Sequence, residues 1–209
     1  MIKPQRKKST VFHVVYSRKA RKNQAALQLI GNLSKQGLLP NLSSVRPLDE
    51  QKFRKIFDEE KPKSIYPTQR GAIFFWPEMM HMEAAAEIIK TKVGKQALVA
   101  DAGIFSKVIN YSERPGRFRP LIEGGEPEFY GWVREMARRY WATAIPLEMF
   151  EKYYRKYHGE SWVRKKNAPV TMPRKIELPE ILYPHKIRPQ DIEKVPLKKT
   201  KPGVEKNEA

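Results

Sequence analysis

The chain has 209 residues, of which 17 are proline and none is cysteine, and its formal net charge is +18. The lack of cysteine excludes disulfides, thiolate nucleophiles and cysteine-based zinc sites, and no apolar run reaches the ~18 residues of a membrane span. A charge this positive favours polyanionic partners, above all RNA or single-stranded DNA. We therefore expect a soluble, intracellular protein with no membrane contact.

The predicted elements alternate between strands and helices over most of the chain. Residues 11–17 are rich in β-branched and aromatic side chains and predict a strand. Residues 23–36 have helical spacing of apolar side chains, and Gly37 is a good helix terminator. The later predictions are a helix over 48–60, a strand over 70–76, a helix over 78–93, a strand over 95–104 with a further strand over 105–111, a loop over 113–127, and helices over 129–140 and 147–157.

The composition changes near residue 159, where prolines begin to recur among Lys and Arg without a helical period. Such a segment buries too little apolar surface to fold alone. The predicted organisation is a basic arm over 1–10, one α+β domain over 11–158 and an extended Pro/Lys-rich tail over 159–209. We expect the domain to hold a small twisted mixed sheet with flanking helices. The tail is expected to wrap the domain or to become ordered on a protein partner.

Five short segments occur in a fixed order along residues 11–155. They are Phe12-His13 with Tyr16-Ser17, Gly37-Leu38-Leu39-Pro40, Gly71-Ala72-Ile73-Phe74-Phe75-Trp76, Ala97-Leu98-Val99-Ala100-Asp101, and Ile145-Pro146. This order resembles the ADP-ribosyltransferase superfamily. The resemblance implies NAD as cofactor, bound between the first strand and the aromatic strand. The superfamily includes members that modify DNA bases and a tRNA 2′-phosphotransferase, so it is compatible with the positive charge.

The resemblance also implies roles for individual residues. His13 would orient the ribose of NAD, and the later strand ending in Asp101 would be structural. The other cofactor-binding candidates are Tyr16, Ser17 and Tyr66 on the nicotinamide side, and Phe75 or Trp76 stacked on a ring.

Glu135 is the candidate for the catalytic glutamate that stabilises an oxocarbenium-like centre. It lies somewhat early relative to the closing Ile-Pro pair, and it also stands four residues before Arg139. That spacing suits an ion pair on a solvated helix face. If the ion pair holds, either Glu128 substitutes or the domain uses the fold without transfer chemistry.

Basic residues interleaved with aromatic ones predict nucleic-acid contacts. Proteins hold single strands by contacts of cations with phosphates and by stacking of rings on unpaired bases. The candidate contact residues are Arg18, Lys19, Arg21, Lys22, Arg114, Arg117, Arg119, Arg138, Arg139, Arg155, Lys156, Arg164, Lys165 and Lys166.

Two further functions therefore stay open beside an NAD-using transferase that acts on or beside nucleic acid. The first is a non-enzymatic nucleic-acid-binding protein, such as a ribonucleoprotein or nucleoprotein component, that uses the arm and tail to bind phosphates. The second is a structural subunit of a viral or organellar complex. The four histidines have no ligand spacing, so we expect no metal site.

Overall fold

The computed structural model describes residues 8–17, 33, 35–40, 48–65, 68–78, 85–94, 97–112, 126–158 and 161–196. Within these ranges it has four helices and ten strands in three sheets, so the α+β class is confirmed. The elements are β1 (Lys8–Ser17), α1 (Leu48–Glu59), β2 (Ile73–Phe75), β3 (Ala85–Gly94), β4 (Leu98–Asp101), α2 (Ala102–Ser112), α3 (Glu126–Ala142), β5 (Ile145–Pro146), α4 (Leu147–Tyr153), β6 (Tyr154–Tyr157), β7 (Ser161–Arg164), β8 (Lys175–Ile176), β9 (Pro179–Tyr183) and β10 (Glu193–Val195). None of the helices described is both long and apolar enough to cross a membrane.

The strands form three antiparallel sheets, where the sequence predicted one mixed sheet. The first sheet has the order β1-β3-β10, the second β2-β9-β4-β5 and the third β6-β7-β8. Strand β9 pairs antiparallel with both β2 and β4. Strands β2 and β4 therefore run in the same direction, as expected for strands joined through intervening elements, but β9 lies between them. Because β9 lies between β2 and β4 and is antiparallel to both, the parallel pair that a mixed sheet would contain is absent from this sheet.

Each face of the second sheet packs on its own core. Val99 and Ile181 contribute to a core that is completed by β1, α4 and β8. Ala100 and Leu182, the next residues along the same strands, contribute to a core shared with α1, α2 and α3. Successive side chains of a strand point to opposite faces. Because both faces of these strands are buried, their sequences are apolar at nearly every position.

Residues 85–94 form strand β3, so the helix predicted over 78–93 is wrong for this part; residues 79–84 lie outside the described ranges. Ile89, Thr91 and Val93 are buried and alternate with the more exposed Lys90 and Lys92. This period of two belongs to a strand. Pairing with β1 on one side and β10 on the other outweighs the helical tendency of the alanines at the start of the segment.

Two other element predictions also need correction. Residues 105–111 belong to helix α2 and not to a strand. The carboxylate of Asp101 caps this helix by accepting the Gly103 N–H at 3.0 Å, and it also accepts the N–H groups of Glu177 and Leu178. Helix α4 ends at Tyr153, because the chain from Tyr154 onward pairs with β7 instead of continuing the helix to residue 157.

The domain does not end at residue 158. Residues 161–196 supply strands β7 to β10, and Ile181 and Leu182 of β9 are completely buried in the middle of the second sheet. The predicted tail over 159–209 is therefore wrong for these residues, because Ile176, Ile181 and Leu182 are buried in cores shared with earlier elements of the chain. At the other end, β1 already begins at Lys8, inside the predicted basic arm. Residues 1–7 and 197–209, as well as most of the helix predicted over 23–36, lie outside the described ranges.

Candidate nucleic-acid interface and adjoining cavity

The third sheet presents cations and a tyrosine on its outer face. Arg155 of β6 stands opposite Val163 of β7, which stands opposite Lys175 of β8. Tyr157 lies two residues after Arg155, so it shares that face. Arg155 and Lys175 are exposed, and Tyr157 is 52% exposed. The other face carries Trp162 and Ile176, which pack into the core.

The surroundings of this face are mostly positive, and among the described residues the one acidic contact of its cations is that of Lys175 Nζ with the exposed Glu177 at 3.5 Å. Between Lys152 and Lys175 the sequence contains only one acidic residue, Glu160. The loop that joins β7 to β8 adds the exposed Lys166 and Arg174. We call Arg155, Tyr157, Lys166, Arg174 and Lys175 the basic sheet surface. The sequence pattern did not single out Arg174 and Lys175, because no aromatic residue lies next to them in the chain.

Arg164, a predicted contact residue, holds the β7–β8 loop instead. Its Nη1 donates to the carbonyl oxygens of Pro169, Val170 and Met172 at 3.1, 2.6 and 2.6 Å. Lys165 is similarly engaged, since its Nζ donates to the carbonyl oxygen of Lys152 at 2.8 Å. These hydrogen bonds hold the β7–β8 loop in a fixed position beside the basic sheet surface.

Three further predicted contact residues form ion pairs. Arg138 Nε lies 2.8 Å from Glu60, Arg139 pairs with Glu135, and Lys156 Nζ lies 2.6 Å from Glu78. Glu60 also accepts from Arg134, and this hydrogen bond is the main cause that lowers the pKa of the Glu60 carboxyl. The arginines of α3 thus connect α3 to the end of α1. The remaining candidates Arg18, Lys19, Arg21, Lys22, Arg114, Arg117 and Arg119 lie outside the described ranges.

His13 and Trp76, two of the residues assigned to NAD, line one cavity of about 360 Å³ between the first two sheets, α1 and α2. His13 Nδ1 lies 2.6 Å from the carbonyl oxygen of Phe74. Because a carbonyl only accepts, Nδ1 carries the proton. Phe75 does not join them: its ring is completely buried in the core, so the predicted stacking on a ligand is wrong for this residue. Tyr66 and the side chains of Tyr16 and Ser17 lie outside the described part.

Glu135 is not among the residues that line this cavity. Its side chain is 49% exposed on α3 and pairs with Arg139, as its spacing of four residues allowed. Glu128, the alternative, is exposed in the first turns of α3 and does not line the cavity either. The structure therefore does not bring either predicted carboxylate to His13.

A buried polar network that the sequence pattern did not predict forms the floor of the cavity. Arg54 donates to Glu50 from Nε at 2.9 Å and from Nη2 at 2.8 Å, and it also donates to Gln69. Gln69 Nε2 and the Tyr140 hydroxyl reach Oε1 of Glu180 at 3.4 and 2.7 Å. Burial is the main cause that raises the pKa of Tyr140 well above its usual value, and the charge of Glu180 adds to it. Tyr140 is therefore a neutral donor.

Two aromatic rings enclose the Arg54 guanidinium. Its central carbon lies 4.6 Å from the ring centre of Phe74 and 4.4 Å from that of Phe105. Only two signals in the sequence pointed to this site: the spacing of Glu50 and Arg54 by four residues, and Glu180 within an apolar stretch. Neither signal distinguishes a buried network from a solvated helix face.

The described residues contain no group of three or more His, Asp or Glu side chains that could hold a metal ion. Comparison with known protein families, with curated proteins and with solved structures gives no match.

Proposed function

We propose that this chain binds single-stranded nucleic acid, RNA or DNA, on the basic sheet surface and that binding needs no catalytic step. The observation that carries the proposal is the row formed by Arg155 and Lys175 with Tyr157 beside it on an exposed sheet face. Two strand spacings separate Arg155 from Lys175, about 10 Å. The two cations are therefore far enough apart to contact different phosphates of one strand.

Three side chains of the surface have separate functions in this proposal. The guanidinium of Arg155 and the ammonium of Lys175 neutralise phosphates and release counterions. The exposed ring of Tyr157 stacks on a base, which works for any base because every base has a π-face. The net charge of +18 attracts the polyanion at longer range.

NAD-dependent transfer is the second candidate, and one observation favours it: His13 and Trp76 line the same cavity. Two others weigh against it. The ring of Phe75 is in the core, and Glu135 pairs with Arg139 away from the lining of that cavity. We therefore place binding without transfer first.

The first prediction concerns charge placed on the basic sheet surface. We expect the double variant Arg155→Glu, Lys175→Glu to bind a fluorescent single-stranded oligonucleotide at least ~10-fold more weakly. The slope of log affinity against log salt concentration should fall by about 2, one for each lost phosphate contact. Fluorescence anisotropy at several salt concentrations measures both quantities, and circular dichroism checks the fold.

The matched control is Lys35→Glu, Lys63→Glu, which changes the net charge by the same amount at two exposed positions outside the surface. It should retain the slope. Tyr157→Ala should weaken binding by about 1–3 kcal/mol without changing the slope, because it removes stacking and no charge. If both charge variants lose affinity equally, only net charge matters and the proposed surface is wrong.

A further inference from the structure

The cavity beside His13 has the size and walls of a site for one small ring system. Its volume of about 360 Å³ lies near the lower end of the ~300–1,000 Å³ typical of small-molecule sites. Trp76 and Phe105 contribute aromatic wall, and the packing of Trp76 against Ile88 fixes its position. Flat aromatic walls suit a planar ligand, and the volume suits a nucleoside better than a dinucleotide.

The charges of the cavity favour an uncharged ligand. Two carboxylates, those of Glu50 and Glu180, line it together with one guanidinium, that of Arg54. Among the described residues that line the cavity, positive charges therefore do not outnumber negative ones, whichever charge His13 carries. A phosphate would lose its water here without gaining a surplus of positive charge, which is costly. A phosphate belongs on the basic sheet surface, and a neutral base belongs in the cavity.

Polar side chains of α2 supply the means to recognise the edge of a base. Ser106 and Asn110 both line the cavity and stand four residues apart, so they lie on one helix face. The Asn110 amide offers a donor and an acceptor together, the combination that pairs with complementary groups of a base edge. A few polar groups among aromatic walls are typical of a specific ligand site.

The cavity lies near strand β6, the edge strand that carries Arg155 and Tyr157 of the basic sheet surface. Lys156 of β6 pairs with Glu78 at 2.6 Å, and Glu78 stands two residues after Trp76. Since consecutive Cα atoms are about 3.8 Å apart, the backbone positions of Trp76 and Glu78 are within about 8 Å of each other. Lys156 lies on the opposite face of β6 from Arg155 and Tyr157, because successive side chains of a strand alternate. Strand β6 is at the edge of its sheet, so a nucleic-acid strand bound at Arg155 and Tyr157 reaches the wall that carries Trp76 by passing over this edge.

We propose that this cavity takes up one unpaired base of the bound strand, with its ring against Trp76 and its edge at Asn110. The inference rests on the proposed function, because the base belongs to the strand whose phosphates lie on the basic sheet surface. A single strand suits such a site, since an unpaired base costs least to extrude.

Free nucleosides test the cavity without any phosphate. Saturation-transfer NMR of the full chain with adenosine, cytidine, guanosine and uridine should show transfer to base protons of at least one nucleoside. Asn110→Ala should lower the affinity of that nucleoside about tenfold, and Trp76→Leu should abolish the transfer. Asn110 is exposed on α2 and alanine favours helix, so this variant keeps the test valid if Trp76→Leu fails to fold. Lys107→Ala, on the same helix but outside the cavity lining, should bind like the unmodified chain.

Three results would overturn the inference: no transfer to any nucleoside, transfer unchanged in Asn110→Ala and in folded Trp76→Leu, or NAD bound more tightly than every nucleoside with transfer to its nicotinamide protons. Anisotropy with an oligonucleotide separates this inference from the proposed function. An oligonucleotide bound with no nucleoside bound refutes the cavity alone. A nucleoside bound in the cavity with no oligonucleotide bound refutes the proposed function and supports the cavity as a nucleoside site.

Discussion

Two Arg–Glu pairs of the same spacing have opposite environments in this protein. Glu50 and Arg54 on α1 have side chains 19% and 7% exposed, whereas Glu135 and Arg139 on α3 are 49% and 63% exposed. Arg54 also donates to Gln69 and lies between two aromatic rings. A guanidinium held in this way has exchanged its hydration for fixed partners, so its removal leaves those partners unsatisfied.

We expect Arg54→Ala to lower the free energy of unfolding by about 3 kcal/mol, the lower end for breaking a buried pair, because Glu50 retains some access to water. The matched variant Arg139→Ala removes an exposed pair and should change the free energy by less than about 0.5 kcal/mol. Urea denaturation of both variants measures the difference. Equal effects would show that burial of the first pair contributes nothing to stability.

The same comparison shows what the sequence can and cannot predict about the site. The spacing of four residues predicted an ion pair for Glu135, and the structure has that pair. The equivalent spacing at Glu50 carried no sign of burial. Burial of a helix face depends on which distant elements pack on it, here β2 and α2 through Phe74 and Phe105. That information lies in the tertiary arrangement and not in the local pattern.

The same contrast between local pattern and tertiary arrangement explains which helices and strands the sequence predicts correctly. Helices α1 and α3 were predicted, because their apolar side chains repeat with the helical period. Strand β3 was mistaken for a helix, although its β-branched residues Ile88, Ile89, Thr91 and Val93 indicated a strand. Strand β9 was missed because its partners β2 and β4 are far away in the sequence. Short apolar runs become strands only when such partners exist.

Gly37 illustrates an element junction that permits only glycine. Its φ is +75°, and a Cβ added there would lie 1.9 Å from the carbonyl oxygen of Ile187. That carbonyl accepts the N–H of Leu38 at 3.0 Å and ties residues 37–38 to the segment between β9 and β10. The backbone therefore approaches too closely for any side chain.

We predict that Gly37→Ala lowers the free energy of unfolding by more than about 1 kcal/mol. Gly131→Ala is the matched control, since Gly131 lies within α3 and a Cβ there meets nothing within 4 Å. It should raise the free energy of unfolding by about 0.5–1 kcal/mol, because alanine favours a helix. Chemical denaturation measures both changes, and a stable Gly37→Ala would contradict the close approach at Ile187.

At the scale of the whole molecule, residues 161–196 are part of the domain. Strand β9 provides the hydrogen bonds that join β2 to β4, and β10 covers one edge of β3. Without these strands, β2 and β4 would each present unpaired backbone groups beside exposed apolar side chains, which is a costly arrangement.

A chain ending at residue 196 should therefore unfold in one cooperative transition, while a chain ending at residue 158 should show none and should bind hydrophobic dyes. Near-ultraviolet circular dichroism with urea denaturation distinguishes the two chains. A cooperative transition in the shorter chain would instead support the domain boundary at residue 158 that the composition predicts.

The position of β9 also sets the order of events during synthesis. The ribosome adds about 5–20 residues per second, so several seconds pass between the appearance of β4 and that of β9. During that interval β2 and β4 cannot be joined in one sheet, because strand β9, which pairs with both of them, has not yet been made. Closing such long loops slows folding. We expect the domain to reach its native state only after nearly all of the chain has left the ribosome.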